Sequence, residues 1–105
     1  MTRKPNPGDI VFAGFNASKI RPWLVLWVDD DHEEACVAAI TRAEEYPGIV
    51  QARAARTGTI NRVASWVSLV PLDRVVAARR VGVVDPGELA RVTAQIKENL
   101  GFGIF

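Results

Sequence analysis

Apolar and polar residues fall into short blocks along most of the chain, a pattern typical of β-strands separated by turns. The turn signal Pro7-Gly8-Asp9 leads into a mostly apolar block at 10–15. The block at 23–28 is apolar at both its odd and its even positions, which predicts a central strand buried on both faces. Similar blocks predict further strands at 35–40, 49–54, 64–70 and 80–84.

The periodicity changes near the end of the sequence. Apolar residues recur there at helical spacing, at Leu89, Val92, Ile96 and Leu100. Asp85 stands at the N-cap position, Pro86 in the first turn and Glu88 at the third helical position, as in a capping box. Gly101 is a natural residue to end the helix. Short strands followed by one amphipathic helix predict a mainly β, α+β fold with the helix packed on a small barrel.

Composition narrows the class of protein. The chain has 105 residues, 49% of them hydrophobic, which fits one domain spanning residues 1–105 with a compact core. Its 13 basic residues nearly balance its 12 acidic ones, so net charge does not identify a partner. The single cysteine, Cys36, lies in an apolar run and is expected to be a buried hydrophobic residue. With no signal peptide and no apolar run long enough for a bilayer, the sequence predicts a soluble cytoplasmic protein with no membrane partner.

An acidic segment at 29–34 contains the only histidine, His32. Carboxylates and imidazole bind divalent ions, which makes a metal site one interpretation. The spacing matches no known ligand loop, and a solvated hairpin turn is the better interpretation. No metal site is predicted.

Several motifs, taken in order, resemble the MazF/PemK/Kid toxin family. A Pro-x-Gly-Asp-Ile-Val strand is matched by residues 5–11, and an Arg-Pro-x-Leu-Val-Leu strand by residues 21–26. The segment 40–42 is similar to the family's Ile-Thr-Ser, 57–65 to its Gly-to-Ser strand, and 81–84 to the strand before its last helix. Each motif is weak alone, but the first two at this spacing are fairly specific.

The resemblance implies an SH3-like small barrel of about five to seven strands with a C-terminal amphipathic helix, as in CcdB/PemK proteins. It implies the toxin of a type II toxin–antitoxin system, a homodimer that acts as an endoribonuclease on single-stranded RNA. It also implies a cognate antitoxin that covers the RNA groove. Cleavage in the family needs no metal and no other cofactor.

The resemblance also points to catalytic residues. Arg21 matches the family arginine that stabilises the phosphorane, and Thr41 matches the hydroxyl residue that orients the phosphate. Arginine suits this role because its planar fork binds two phosphate oxygens. The alternatives are a surface anchor for Arg21 and a strand-end turn for Thr41. Ser65 is a weaker candidate for contact with RNA, and its alternative is a polar residue on a strand face.

Basic and aromatic residues supply further candidates for RNA binding. Arg42, Arg53 and Arg56, together with Arg62, are opposed nearby only by Glu44 and Glu45, and on one side of the barrel they would follow a phosphate backbone. The side chains available for base stacking are Trp23, Trp27, Tyr46 and Trp66. Trp27 is expected in the core, whereas Trp23 and Trp66 fit the core or a dimer interface equally well.

The sequence departs from the family in ways that keep a second function open. The loop before Arg21 is short and has no histidine or acidic residue. The stretch 67–70 lacks the Arg and Asp that Kid-like members supply from the fifth strand, so the general base is unassigned. The alternative function is a catalytically degenerate or CcdB-like binding module that acts on a protein target. A plain adaptor domain is a third possibility.

Overall fold

The computed structural model describes residues 4–15, 19–42 and 48–101. Six strands and two helices follow one another in the order β1 (Asp9–Ala13), β2 (Arg21–Asp29), β3 (Glu34–Thr41), β4 (Val50–Arg53), β5 (Ile60–Pro71), α1 (Leu72–Ala77), β6 (Arg79–Val83) and α2 (Pro86–Leu100). The strands form one antiparallel sheet in the order β4-β5-β3-β2-β1-β6. No helix among these residues is long and apolar enough to cross a membrane.

The central strands are buried on both faces, as the pattern at 23–28 predicts. Leu24 and Val25 are neighbours on opposite faces of β2, and both are fully buried. One face carries a core that α2 covers with Leu89, Val92 and Ile96. The other face carries a second core, built on β2, β3 and β5 and covered in part by Val75 of α1.

Bulges bend the sheet. Opposite Ala39, β5 has three residues at 64–66, because Ala38 pairs with Val67 and Ile40 pairs with Val63. A smaller irregularity in the β2–β3 ladder lies at Leu26. Bulges increase the local twist, so the edge strands β4 and β6 turn toward each other. The Ala55 N–H donates to the Val83 carbonyl oxygen at 2.8 Å, which joins the two edges by one hydrogen bond.

The expected closed barrel is therefore replaced by a curved sheet, since β4 and β6 do not pair within the described ranges. Side chains of α2 occupy the free edge of β4 instead. Glu88 accepts a hydrogen bond from the Arg53 peptide N–H at 2.8 Å, and Arg91 donates to the Gln51 carbonyl oxygen at 2.5 Å. An exposed strand edge is a template for unwanted pairing, and these two side chains cover it.

Two features of the helices differ from the sequence prediction. Glu88 is not the second residue of a capping box, because its carboxylate binds Arg53 and Arg91. Asp85 is the N-cap residue but makes no side-chain capping bond to the described chain. The short helix α1 was not predicted, since six residues hold too little periodicity to mark it. Gly101 ends α2 in the left-handed conformation, as predicted.

Gly8 of the Pro7-Gly8-Asp9 turn lies where two parts of the fold meet. Its N–H donates to the Val25 carbonyl oxygen at 2.7 Å, and its own carbonyl oxygen accepts from the Val84 N–H at 2.8 Å. Its φ is 97°, and a Cβ at this position would lie 2.6 Å from the Val84 carbonyl oxygen. Only glycine fits there, because both the backbone conformation and the close approach exclude a side chain.

Replacing Glu88 with glutamine should lower the free energy of unfolding by about 1 kcal/mol at neutral pH, since charge-assisted hydrogen bonds to Arg91 and to the Arg53 N–H are weakened. The same bonds lower the Glu88 pKa from 4.5 to about 2, with that to Arg91 the larger cause. A lowered pKa stabilises the folded state above the unfolded-state value of about 4.5, and this stabilisation is lost as the pH falls through about 2. The deficit of Glu88→Gln should therefore shrink below about pH 4.5 in denaturant titrations.

Glu98→Gln provides the matched control, because Glu98 is exposed on the same helix and its side chain makes no ion pair within the described residues. This variant should unfold like the wild type at every pH. A deficit of Glu88→Gln that stays constant between pH 7 and pH 3 would contradict the assigned role of its charge.

Candidate functional site

A row of polar side chains crosses the sheet at one end of its central strands. In the β3–β5 ladder Thr41 lies directly opposite Arg62. The β2–β3 ladder pairs Trp23 with Ala39, and the same register continued by two residues brings Arg21 beside Thr41. Neighbouring strands are about 4.8 Å apart, so the backbones of Arg21 and Arg62 are separated by about 10 Å across Thr41. We call Arg21, Thr41 and Arg62 the cationic row.

All three side chains of the cationic row belong to one face of the sheet. Each stands two residues beyond a member of the second core, namely Trp23, Ala39 and Ala64. The three residues are half-buried. Arg21 and Arg62 have no acidic partner within 4 Å in the described parts of the chain, so their charge faces outward. Two guanidinium groups that flank a hydroxyl can bind a single phosphate from both sides.

Arg62 is absent from the set of residues that the motifs single out as catalytic. Its place beside Thr41 depends on the register of β3 against β5, which no local pattern reveals. The signal in the sequence is weak: a charged residue between Asn61 and Val63, near the start of a strand. The prediction began this strand at residue 64, whereas β5 begins at Ile60.

The other predicted RNA-binding residues are not gathered at the row. Arg42 follows Thr41 directly and is exposed. Arg53 lies on β4, where its guanidinium donates to the Gly58 carbonyl oxygen at 3.3 Å and its peptide N–H binds Glu88. Arg56 lies in the β4–β5 turn and lines a separate cleft. Glu44, Glu45 and Tyr46 lie outside the described residues.

Ser65 lies against α2. It is buried, its hydroxyl donates to the Gly48 carbonyl oxygen, and it accepts from the Asn99 side-chain amide at 2.8 Å. These contacts join β5 to Gly48, two residues before β4, and to the last turn of the helix. The two hydrogen bonds satisfy the buried Ser65 hydroxyl, so its presence requires no ligand.

The aromatic side chains divide between core and surface. Trp23 is 3% exposed, packs against Phe15 and donates from its indole to the Ala13 carbonyl oxygen at 3.0 Å. Trp27 is half-buried against the core that α2 covers. Trp66, four residues from Arg62 on β5, is 46% exposed and is the tryptophan that a base can reach.

The acidic segment forms the turn between β2 and β3, at the far end from the cationic row. Eight residue steps along β2 separate Arg21 from Asp29, or about 26 Å. Asp29 accepts hydrogen bonds from the His32 ring at 2.7 Å and from backbone N–H groups, and the His32 bond is the main reason that the Asp29 pKa is lowered. The described residues hold no cluster of three or more potential metal ligands.

Cys36 is fully buried in the core, as predicted. Burial raises the pKa of its thiol to about 11, so the thiolate is scarce at neutral pH.

Known proteins share both the sequence pattern and the fold of this chain. The family model for PemK-like, MazF-like toxins of type II toxin–antitoxin systems matches residues 6–100. The chain therefore belongs to this family, as the motifs predicted. No curated protein matches the sequence.

Solved structures share the fold at low sequence identity. MazF from Deinococcus radiodurans superposes with a TM-score of 0.72 at 22% identity, covering 95% of this chain and 99% of that one. An endoribonuclease from a mycobacterial species gives a TM-score of 0.69 at 15% identity, covering 97% and 96%. A mycobacterial endoribonuclease in complex with its cognate antitoxin gives a TM-score of 0.66 at 15% identity, covering 96% of this chain and 97% of that one.

Ser65→Ala tests whether Ser65 holds the fold together or contacts RNA. Because its hydroxyl bonds Gly48 and Asn99 away from the cationic row, we expect the variant to lose about 1 kcal/mol of unfolding free energy. Its affinity for single-stranded RNA, measured by fluorescence anisotropy, should equal that of the wild type. If Ser65→Ala had normal stability but bound RNA more weakly, Ser65 would instead be assigned to the RNA site.

Proposed function

We propose that this chain is the toxin of a type II toxin–antitoxin pair and that it cleaves single-stranded RNA without a metal ion or other cofactor. The observation that carries the proposal is the cationic row, in which a threonine is flanked by two arginines that have no acidic partner among the described residues. Membership of the MazF/PemK family supports it, and so does the likeness to structures described as endoribonucleases.

In the proposed reaction the RNA supplies its own nucleophile. The 2′-hydroxyl oxygen forms a bond to the adjacent phosphorus, and the bond from phosphorus to the 5′-oxygen of the next nucleotide breaks. The products are a 2′,3′-cyclic phosphate and a 5′-hydroxyl. The proton lost by the 2′-hydroxyl is balanced by the proton that the departing oxygen gains, so no water, metal or oxidant is consumed in this step.

The cationic row meets the electrostatic demand of this step. Negative charge accumulates on the non-bridging oxygens as phosphorus becomes five-coordinate, and preorganised donors aimed at those oxygens lower the barrier. Arg21 and Arg62 would donate from opposite sides, and the Thr41 hydroxyl would orient the phosphate between them. Half-burial of the three side chains strengthens these interactions, because fewer water molecules screen the charge.

The partners follow from the same proposal. The chain would act as a homodimer, and a cognate antitoxin would cover the row. The existence of an antitoxin partner is supported by two proteins of similar fold, a MazF solved with MazE and an endoribonuclease solved with its cognate antitoxin. A cytoplasmic location fits an RNA substrate and the single buried cysteine.

A second candidate function is a binding module that poisons a protein target without cleaving RNA. One observation favours it: the described residues place no general base at the row. The only histidine is at the far end of β2, and no carboxylate at residues 4–15, 19–42 or 48–101 pairs with Arg21 or Arg62. Growth arrest of cells whose RNA stays intact would support this candidate over the nuclease.

Arg21→Ala and Arg62→Ala should each lower kcat by roughly 100-fold on a long single-stranded RNA in buffer containing a chelator, because each removes one donor from the phosphorane. The readout is the rate at which fragments with cyclic phosphate ends appear. Arg74→Ala is the matched control, since Arg74 is an exposed arginine of α1 with no ion pair among the described residues.

Circular dichroism would show that all three variants are folded. Unchanged cleavage by Arg21→Ala would remove Arg21 from the mechanism. Intact RNA with the well-folded wild type would overturn the nuclease proposal.

A further inference from the structure

A cleft of about 620 Å³ opens beside the hydrogen bond between Ala55 and Val83 that joins the two sheet edges. Its walls are the β4–β5 turn on one side and β6 on the other. Small-molecule sites commonly have volumes of about 300 to 1,000 Å³, so the cleft has the size for a ligand such as one nucleotide. We call it the edge cleft.

The polar lining of the edge cleft is cationic. Arg56 and Arg80 are its two charged residues, and the lining contains no carboxylate. Arg56 makes no ion pair with the described part of the chain. The Arg80 guanidinium lies 3.6 Å from a carboxylate oxygen of buried Asp9, which is not part of the lining, because Arg80 pairs with Val11 on the face of the second core. Arg56 is therefore the arginine that is available to an anion of the size of a phosphate.

The rest of the lining suits a planar heterocycle. Ile10, Pro22 and Val81 provide an apolar surface, and Val81 is 49% exposed. Asn61 lines the cleft and donates only one long hydrogen bond, of 3.4 Å, to the Ala52 carbonyl oxygen. Its amide oxygen can therefore pair with the edge of a base. The Thr59 hydroxyl accepts a hydrogen bond from the Thr57 hydroxyl at 2.8 Å, so its own proton is what it can offer a base. Apolar surface, amide and arginine together match the ring and phosphate of a nucleotide.

The edge cleft is close to the cationic row along the chain. Pro22 follows Arg21, and Asn61 precedes Arg62, so one residue of each pair lines the cleft and the other belongs to the row. Adjacent residues of a strand point to opposite faces, so the two sites lie on opposite faces at the same end of the sheet. A single strand of RNA that rounds this end would contact both.

We propose that the edge cleft binds one nucleotide of the RNA that flanks the cleaved bond, with Arg56 on its phosphate. This inference rests on the proposed function, because it assigns a second contact to the same substrate. An acidic peptide is the other occupant that an arginine would attract, but the amide and the apolar floor give the base a better match.

Nucleoside 5′-monophosphates test the cleft without relying on cleavage. In titrations of ¹⁵N-labelled protein with the adenosine, guanosine, cytidine and uridine compounds, the amide signals of Gly58, Gly82 and Asn61 should shift. Arg56→Ala should weaken the binding of at least one compound about tenfold, whereas Arg74→Ala should bind as the wild type does. Shifts confined to residues beside the cationic row, or no shifts at all, would overturn the proposal.

Cleavage kinetics test whether the same cleft receives the substrate. With an RNA that extends several nucleotides beyond the cleaved bond on both sides, Arg56→Ala should raise KM by about tenfold. With the shortest RNA that the wild type cleaves, the rise should be much smaller. Equal rises for both lengths would overturn the assignment to flanking RNA. If the wild type cleaves nothing, the proposed function fails, and the monophosphate titrations still decide whether the cleft binds nucleotides.

A synthetic acidic peptide added to the titrations covers the other occupant. Displacement of the monophosphate by excess peptide at Gly58 and Gly82 would show only that both ligands are anions at one site, which agrees with the proposal. Shifts with the peptide and none with any monophosphate would overturn it.

Discussion

Burial of the central strands on both faces is the constraint on which the architecture depends. Leu24 and Val25 point in opposite directions, and neither touches solvent. Each face of the sheet must then carry its own cover, which α2 provides on one side and α1 with the Phe15–Trp23 pair provides on the other. Polar side chains are excluded from the middle of β2 and β3. Chemistry is thereby confined to the ends of the strands, where the cationic row and the acidic turn are found.

The second consequence concerns the edges. A sheet that bends around one core exposes two edges that almost meet, and full pairing would close it into a barrel. Here one backbone hydrogen bond joins the edges, while Glu88 and Arg91 satisfy backbone groups of β4. Side chains of α2 thus make the hydrogen bonds to β4 that a further paired strand would otherwise make. The gap that remains beside it is the edge cleft, so the incomplete closure creates a space that a closed barrel would lack.

How much the sequence predicted follows from the range of the interactions involved. β2 and α2 were predictable because their patterns are local: one strand apolar on both faces, and one apolar stripe with a proline at its start and a glycine at its end. The start of β5 was not, since the residues around Arg62 form a strand only by pairing with β3 and β4. The motifs supplied Arg21 and Thr41, but only the register across three strands places Arg62 beside them.

Ser65 illustrates the same limit. Its neighbours in the sequence give no indication of whether it faces the row or the helix. The bulge at 64–66 and the contact with Asn99 decide this, and both depend on residues distant in the chain. The local sequence predicts that Glu88 is part of a capping box. In the structure its carboxylate instead accepts hydrogen bonds from the Arg53 N–H and from the Arg91 guanidinium, because these two charge-assisted bonds stabilise it more than one capping bond does.

The placement of charge along β2 has one more consequence. A chain with a formal net charge of +1 looks electrically unremarkable, but Arg21 and Arg62 lie about 26 Å from the acidic turn at the other end of the strand. Such a separation of opposite charges contributes a dipole directed along β2. A polyanion that approached in solution would experience this field before touching the surface, and the torque would turn the protein so that its cationic end led. The acidic turn, which lies far from the row, would in this way help to orient the encounter with an RNA substrate.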